Sequence, residues 1–353
     1  MRKALVAVSG GVDSAVAALL LQKAGYRVCA VYMRTWPGGA EGTPSGGCYG
    51  PDEDDLSAAQ AVASHLGVPL LVIDLRREFS SQVLDYFVSE YTKGRTPNPC
   101  VVCNRFLKFE LLPAAVRATG ETFDLFATGH YARIVRENGR VLLAMAADRA
   151  KDQSYFLAFL RQEHLAGTVL PVGELRKAQV REIARKAGLP VHERKESQDF
   201  ISGSRESFFP RAQPGPICDT GGKRLGTHRG IVFYTVGQRT GLGISSATPL
   251  YVVSIESATN TLIVGPAEAC YRKTAVVAPF QTSSGEPLSC ARRFRVKIRS
   301  SHTPAQATVT PLANDAVRIE FDRPQWAVTP GQAAVAYEKT TVAGAGFLSA
   351  QEG

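Results

Sequence analysis

Ser9-Gly10-Gly11-Val12-Asp13-Ser14 lies between an apolar run, Ala4 to Val8, and an apolar-rich segment, Ala15 to Leu21, that closes near Gly25. That order predicts a strand, a tight glycine turn and a helix N-terminus. Gly10 and Gly11 permit backbone angles that bring N–H groups close to an anion. The first helical turn behind them offers unpaired N–H groups and the positive end of the helix dipole. Ser9 and Ser14 add hydroxyl donors. The plainer reading is an ordinary strand-to-helix turn containing two glycines. Against it, five of the six residues have a phosphate-directed use.

A Walker A loop would end in Gly-Lys-Ser/Thr, and none is present. The SGGVDS loop instead resembles the PP-loop of ATP pyrophosphatases, which split ATP into AMP and pyrophosphate. The resemblance implies that Asp13 helps hold Mg²⁺, since a carboxylate beside phosphates suits a hard cation.

Outward from this loop the first half alternates strand-like and helix-like segments. Val28 to Met33, Leu70 to Ile73 and Leu125 to Thr128 read as strands. Asp54 to Leu66, Phe79 to Tyr91, Phe106 to Val116 and Lys177 to Ala187 read as helices. Such alternation predicts an α/β fold, a doubly wound parallel sheet, with ligands at the carboxyl ends of its strands. The first loop, Met33 and Thr128-Gly129-His130 would share that edge. Thr35 to Pro51 is a Gly- and Pro-rich loop. From about Gly203 short β-rich runs take over, split by turn signals: Ile231 to Val236, Tyr251 to Ile255, Thr261 to Val264, Ala307 to Val309, Ala316 to Phe321 and Ala333 to Tyr337. The expected division is a PP-loop catalytic domain over 1–202, a small β-rich central domain over 203–275 and a C-terminal β-barrel over 276–353.

The 353 residues, 44% hydrophobic and 21% charged, suit a soluble globular protein of two or three domains. No signal peptide or membrane span is visible, so the cytoplasm is the default and no membrane partner is expected. Monomer is the default state. The net charge of +9 divides into +3 over residues 1–199 and +6 over the shorter remainder. A polyanionic partner docking on the C-terminal part is the implication. Seven cysteines, at 29, 48, 100, 103, 218, 270 and 290, read as thiols, catalytic groups or metal ligands rather than a disulfide framework.

Thr96-Pro97-Asn98-Pro99-Cys100-Val101-Val102-Cys103-Asn104 is the second informative stretch. Two prolines force an extended entry. The C-x-x-C pair then stands before a helix containing Lys108. A helix N-terminus and a nearby cation both favour the thiolate. Unused buried thiols, half of a zinc site and a redox dithiol are the competing readings. A zinc site lacks its second C-x-x-C.

An ATP-activating loop and a reactive thiol together suggest adenylation of a carbonyl oxygen, then its displacement by sulfur. That combination resembles the tRNA-specific 2-thiouridylases of the MnmA type. In chain order the resemblance rests on SGGVDS at 9–14, Tyr32-Met33, the Cys48 region before Asp54-Asp55, TPNPCVVCN at 96–104 and Lys108-Phe109. It continues through ATGHYAR at 127–133, KDQSYFL at 151–157, GTHRGI at 226–231, YTVGQRTGLGI at 234–244, Lys297-Ile298-Arg299 and VTPGQ at 328–332. It implies ATP-dependent 2-thiolation of the wobble uridine of tRNAs for Lys, Glu and Gln, with a persulfide or sulfide donor. Ala7, Val8, Ser9, Gly10, Gly11, Val12, Asp13, Ser14, Met33 and Gly129 would bind ATP. Asn98, Pro99 and Cys100 would meet the target base. His130, Lys151, Asp152, Gln153, Arg299, Ser300 and Gln332 would touch tRNA, and Cys103 would be the nucleophile.

Two positions depart from the family pattern. Many members have Asp where this chain has Cys100. The family's second, persulfide-bearing cysteine falls where this chain has Ile201, and isoleucine carries no sulfur. Either Cys100 takes over the relay, or Cys48, Cys100 and Cys103 hold an iron–sulfur cluster. Rival functions are a PP-loop ATP pyrophosphatase acting on a small molecule, and a tRNA-binding paralogue without thiolation. Arg293, Arg295, Lys297 and Arg299 alternate with Phe294, Val296 and Ile298, which puts four cations on one strand face. At roughly 6.5–7 Å spacing they match a phosphate backbone. A solvated outer face is the alternative.

Overall fold

Strand β1 (Lys3–Ala7) is buried on both of its faces, with Ala4, Leu5 and Val6 all at 0% exposure. A strand covered twice is the mark of a parallel sheet with helices on each side. The computed structural model describes residues 1–36, 51–137, 139–194, 200 and 205–350. From β1 the chain steps outward through β2 (Arg27–Arg34) to β3 (Leu70–Asp74), then returns to β4 (Leu125–Ala127) on the opposite side of β1. The hairpin β5 (Ala132–Glu137) and β6 (Arg140–Met145) leaves the sheet, and β7 (Thr168–Val169) closes its edge. All four pairings in the order β3-β2-β1-β4-β7 are parallel. The strand order reverses between β1 and β4, where doubly wound sheets open their ligand crevice. The expected parallel sheet and its carboxyl-edge loops are therefore present.

Helices Val12–Lys23, Glu53–Leu66 and Lys177–Lys186 cover one face, packing Val16, Val62 and Val180 against Ala4, Val6 and Ala30. Residues 99–118 cover the other, packing Phe109, Leu112 and Val116 against Leu5, Val31 and Phe126. This second helix begins at Pro99, not near Phe106 as expected. Proline suits the first helical position, where its missing N–H costs nothing. The C-x-x-C pair consequently lies inside the first turns of the helix rather than ahead of it. The helix widens to π geometry over Cys103–Leu111. Pro113 has no N–H for the Phe109 carbonyl and its ring crowds that group, and wider turns ahead of it relieve both conflicts.

The next module is a four-stranded sheet ordered β10-β11-β8-β9, from β8 (Gly215–Asp219), β9 (Arg224–His228), β10 (Tyr251–Glu256) and β11 (Thr261–Gly265). The strand expected over Ile231 to Val236 is instead a 3₁₀ turn, Ile231–Phe233. Its residues do not alternate in burial: Ile231, Val232, Phe233 and Tyr234 are all buried, beside Phe87 and Phe209.

Six strands then close on themselves: β12 (Tyr271–Thr282), β13 (Arg292–Lys297), β14 (Ala305–Pro311), β15 (Val317–Trp326), β16 (Ala333–Glu338) and β17 (Thr341–Leu348). Their order is β12-β15-β14-β13-β16-β17, and a β12–β17 pairing completes the barrel. A domain boundary at 275/276 would cut β12, whose pairing starts at Tyr271, so the turn Ala267–Cys270 is the better division. The boundary expected after residue 202 lies outside the described residues. Strand β16 is buried on both sides. Ala334 and Ala336 fill the barrel, whereas Ala333, Val335 and Tyr337 join the core of the parallel-sheet domain. Hairpin β5–β6 also reaches the barrel, with Ala144 opposite Thr341 on β17. Among the described residues no helix is long and apolar enough to cross a membrane.

Candidate active site

The turn after β1 is held by its own serines. Ser14 Oγ donates to the Gly11 carbonyl at 3.0 Å and accepts the Ser9 amide at 3.2 Å. Gly10 has φ +73°, and a Cβ there would lie 2.5 Å from the Asp55 carbonyl oxygen. Only glycine combines that conformation with that close approach. From β4, Gly129 presses on the loop from behind: a Cβ on it would stand 2.5 Å from the Ser14 amide nitrogen. Residues 7–14 and Gly129 thus meet at the switch point, with Met33 at the end of neighbouring β2.

Three residues that the sequence reading missed surround this loop. Lys177, the first residue of its helix, places Nζ 2.8 Å from both Asp13 carboxylate oxygens. The Tyr131 hydroxyl donates to Asp13 Oδ1 at 2.7 Å. Arg194 donates to the Gly10 carbonyl at 3.0 Å and pairs with Asp55. Burial pushes the Asp55 carboxyl up, against the pull of Arg194. Lys177 carried one signal, its place at a predicted helix start. Arg194, in an unpatterned stretch, carried none.

The thiol loop is fastened from the barrel. Gln332 Nε2 donates to the Thr96 and Pro97 carbonyls, each at 3.1 Å, and the Thr96 amide donates to the Pro330 carbonyl at 2.8 Å. Asn98 gives its amide to the Tyr86 hydroxyl and its side-chain Nδ2 to the Tyr155 hydroxyl, both at 3.3 Å. Pro99 is buried, and Cys100, in the first helical turn, is half-buried. Cys103 is 7% exposed in an apolar cluster with Phe79, Val83 and Leu107, against which Met33 packs. The predicted nucleophile and a predicted nucleotide contact therefore pack in one apolar cluster near the carboxyl edge. Cys29 and Cys270 are buried elsewhere, and burial pushes both thiols up.

His130 lies beside Phe109 and shares a 2.8 Å hydrogen bond between its Nδ1 and Thr128 Oγ1. Its ring is enclosed though not fully sealed from solvent; burial, and then the Lys108 ammonium, push its pKa down to about 3. Lys151 is half-buried. Asp152 accepts the Ala146 and Ser154 amides and the Ser154 hydroxyl, and Gln153 Oε1 accepts the Tyr131 amide at 2.9 Å. These two side chains build the site's own loop. Arg299 donates to the Trp326 carbonyl at 2.8 Å, next to exposed Ser300. Cys48 and Ile201, the positions on which the cluster and relay readings turn, lie outside the described residues. Among the described residues no three His, Cys, Asp or Glu side chains are grouped to hold a metal ion.

A parallel sheet whose switch point carries this glycine–serine turn defines a PP-loop protein of the HUP class. Residues 2–202 match the tRNA methyl transferase HUP domain, 206–266 the tRNA methyl transferase PRC-barrel domain and 273–348 the aminomethyltransferase beta-barrel domain. The tRNA-specific 2-thiouridylase MnmA of Endomicrobium trichonymphae is 42% identical over 355 residues, 98% of each chain. That of Moorella thermoacetica is 44% identical over 359 residues, again 98% of each. The chain belongs to the tRNA-specific 2-thiouridylase family. Among solved structures, an NMN synthetase from Francisella tularensis aligns with a TM-score of 0.34 and 16% identity, over 59% of this chain and 72% of that one.

Proposed function

We propose that this protein transfers sulfur to C2 of the wobble uridine of tRNA, using ATP. The observation that carries the reading is that Cys103 and Met33 pack in one apolar cluster beside the carboxyl edge where the SGGVDS loop opens. Matched descriptions name a methyl transferase, whereas the relatives are named thiouridylases. A thiol beside a nucleotide loop suits the second chemistry.

Residues 7–14, Met33 and Gly129 bind ATP, with the loop amides and the helix N-terminus facing its phosphates. Asp13 fits a hard cation that arrives on those phosphates, provided Lys177 gives up the carboxylate. Mg²⁺ would supply charge neutralisation there. Uracil O2 attacks the α-phosphorus and pyrophosphate leaves. The terminal sulfur of a Cys103 persulfide then attacks C2, and AMP departs with O2. Cys100 attacks Cys103 Sγ, which frees 2-thiouridine and leaves a Cys100–Cys103 disulfide. Either an external thiol reduces that disulfide and a persulfide donor hands its outer sulfur to Cys103, leaving as a thiol, or sulfide attacks the disulfide at Cys103 Sγ, which reforms the Cys103 persulfide and expels the Cys100 thiolate. Asn98, Pro99 and Cys100 hold the base, and His130, Lys151, Asp152, Gln153, Arg299, Ser300 and Gln332 form the tRNA side of the site. The protein acts as a cytoplasmic monomer.

Mass analysis of wobble nucleosides in a deletion strain tests the function: 2-thiouridine should vanish and return with the wild-type gene but not with Cys103→Ser. Unchanged 2-thiouridine in the deletion strain refutes it. Anaerobic purification tests the dithiol. Iron-free active protein supports it, and stoichiometric iron replaces it with a cluster on Cys48, Cys100 and Cys103.

A further inference from the structure

The four expected strand cations do not form one row. Arg293 is bidentate to Asp322, at 2.6 Å for each nitrogen, and Arg295 donates to the Lys339 carbonyl. Lys297, at the end of β13, takes a different course. Its ammonium lies 5.7 Å from the centroid of the Tyr155 ring. Tyr155 in turn accepts from Asn98 and donates to the Ala333 carbonyl at 2.9 Å. The barrel thus delivers a half-buried cation over the ring whose hydroxyl holds Asn98, the side chain expected to meet the target base.

Among the described residues Lys297 has no hydrogen-bond or ion-pair partner. A ring face attracts a cation but accepts none of its three N–H groups. Asp152 is near enough to oppose the fall in the Lys297 pKa that burial causes. Its oxygens, however, already take two amides and a hydroxyl. A partly desolvated ammonium without an acceptor is costly. The arrangement is explained if the acceptor arrives with a ligand. Arg299 lies two residues later, past the end of β13, and has guanidinium donors beyond the one given to Trp326. A compact ammonium suits a phosphate.

The geometry points to Lys297 as a tRNA-binding residue of the base pocket, its ammonium meeting a backbone phosphate beside the target uridine. This assignment rests on the tRNA reading above. It is tested with wild type, Lys297→Met and Lys297→Arg, measuring the Kd for an unmodified substrate tRNA transcript over a KCl series. Melting temperature checks that each variant is folded. The methionine variant should bind roughly tenfold more weakly. Its salt slope should fall by about 0.7, the loss of one single-strand phosphate contact, and arginine should restore most of both. A methionine variant with wild-type Kd and slope overturns the assignment. Weaker binding with an unchanged slope overturns it too, since the acceptor is then a neutral base oxygen. Wild type without salt-steep tRNA binding overturns the functional reading itself.

Discussion

Alanine at position 129 would put a methyl carbon 2.5 Å from the Ser14 amide nitrogen and 2.6 Å from the Asp13 carbonyl carbon. Both neighbours are backbone, so no side-chain rotation can make room. Comfortable contact needs about 3.5 Å, so the loop and β4 must part by about 1 Å. Overpacking of that size costs about 1–3 kcal/mol of stability. Its effect on ATP should be larger, because the displaced atoms belong to the loop that faces the phosphates. A misplacement of about 1 Å can cost about 100-fold in function. Gly129→Ala should therefore fold, melt a few degrees lower and bind ATP on the order of 100-fold more weakly by calorimetry. Gly167→Ala is the control: it has ordinary φ, −98°, and open space around it. A folded Gly129→Ala that keeps ATP affinity within twofold of wild type would refute the argument that β4 sets the loop position.

Lys177, once it has yielded Asp13 to the incoming cation, is free to meet the phosphates, so Lys177→Met should raise the Kd for ATP by roughly tenfold or more, with partial recovery in Lys177→Arg. The same neutral variant frees the carboxylate, so Mn²⁺ titrated without nucleotide should bind it more tightly than wild type; equal Mn²⁺ affinity argues against the exchange. His130 has a folded pKa of about 3, below its ordinary 6.5. The unfolded chain therefore binds the extra proton, and stability falls as pH drops from about 6.5 towards 3. Denaturation of His130→Gln should show a shallower loss across that window. Carbon-13 chemical shifts of wild type should report a neutral ring from pH 5 to 8, and a titration step near 6.5 contradicts the burial argument.

The parallel sheet was legible because its signal is local. Apolar runs of strand length alternate with helical spacing, and one glycine turn marks where the strand order must reverse. Placing Cys100 and Cys103 ahead of a helix failed for an equally local reason, since the two prolines masked a helix that uses the second as its first residue. Ile231 to Val236 misled because a β-branched and aromatic run buried on all sides looks the same in a strand and in a turn. Lys297 was legible as a phosphate-facing strand cation but not in its place over Tyr155, and Lys177, Tyr131 and Arg194 were not singled out as site residues. Lys177, Arg194 and Lys297 reach their partners from a distant part of the chain, and no spacing rule encodes where a long side chain ends.

The same kind of long-range contact joins the barrel to the proposed active site. Ala333 to Tyr337 is an unbroken apolar run, and Ala333, Val335 and Tyr337 are as buried as Ala334 and Ala336. The strand is a wall shared by two cores. It carries Pro330 and Gln332 at its start, and these hold the Thr96–Pro97 backbone just before the thiol helix. Its partner β13 ends at Lys297, over Tyr155. A protein that only needed the barrel for loose RNA affinity would not require these contacts. Fusing the two cores fixes the distance between the barrel and Cys103, which is what the proposed reaction on one base of a large substrate demands.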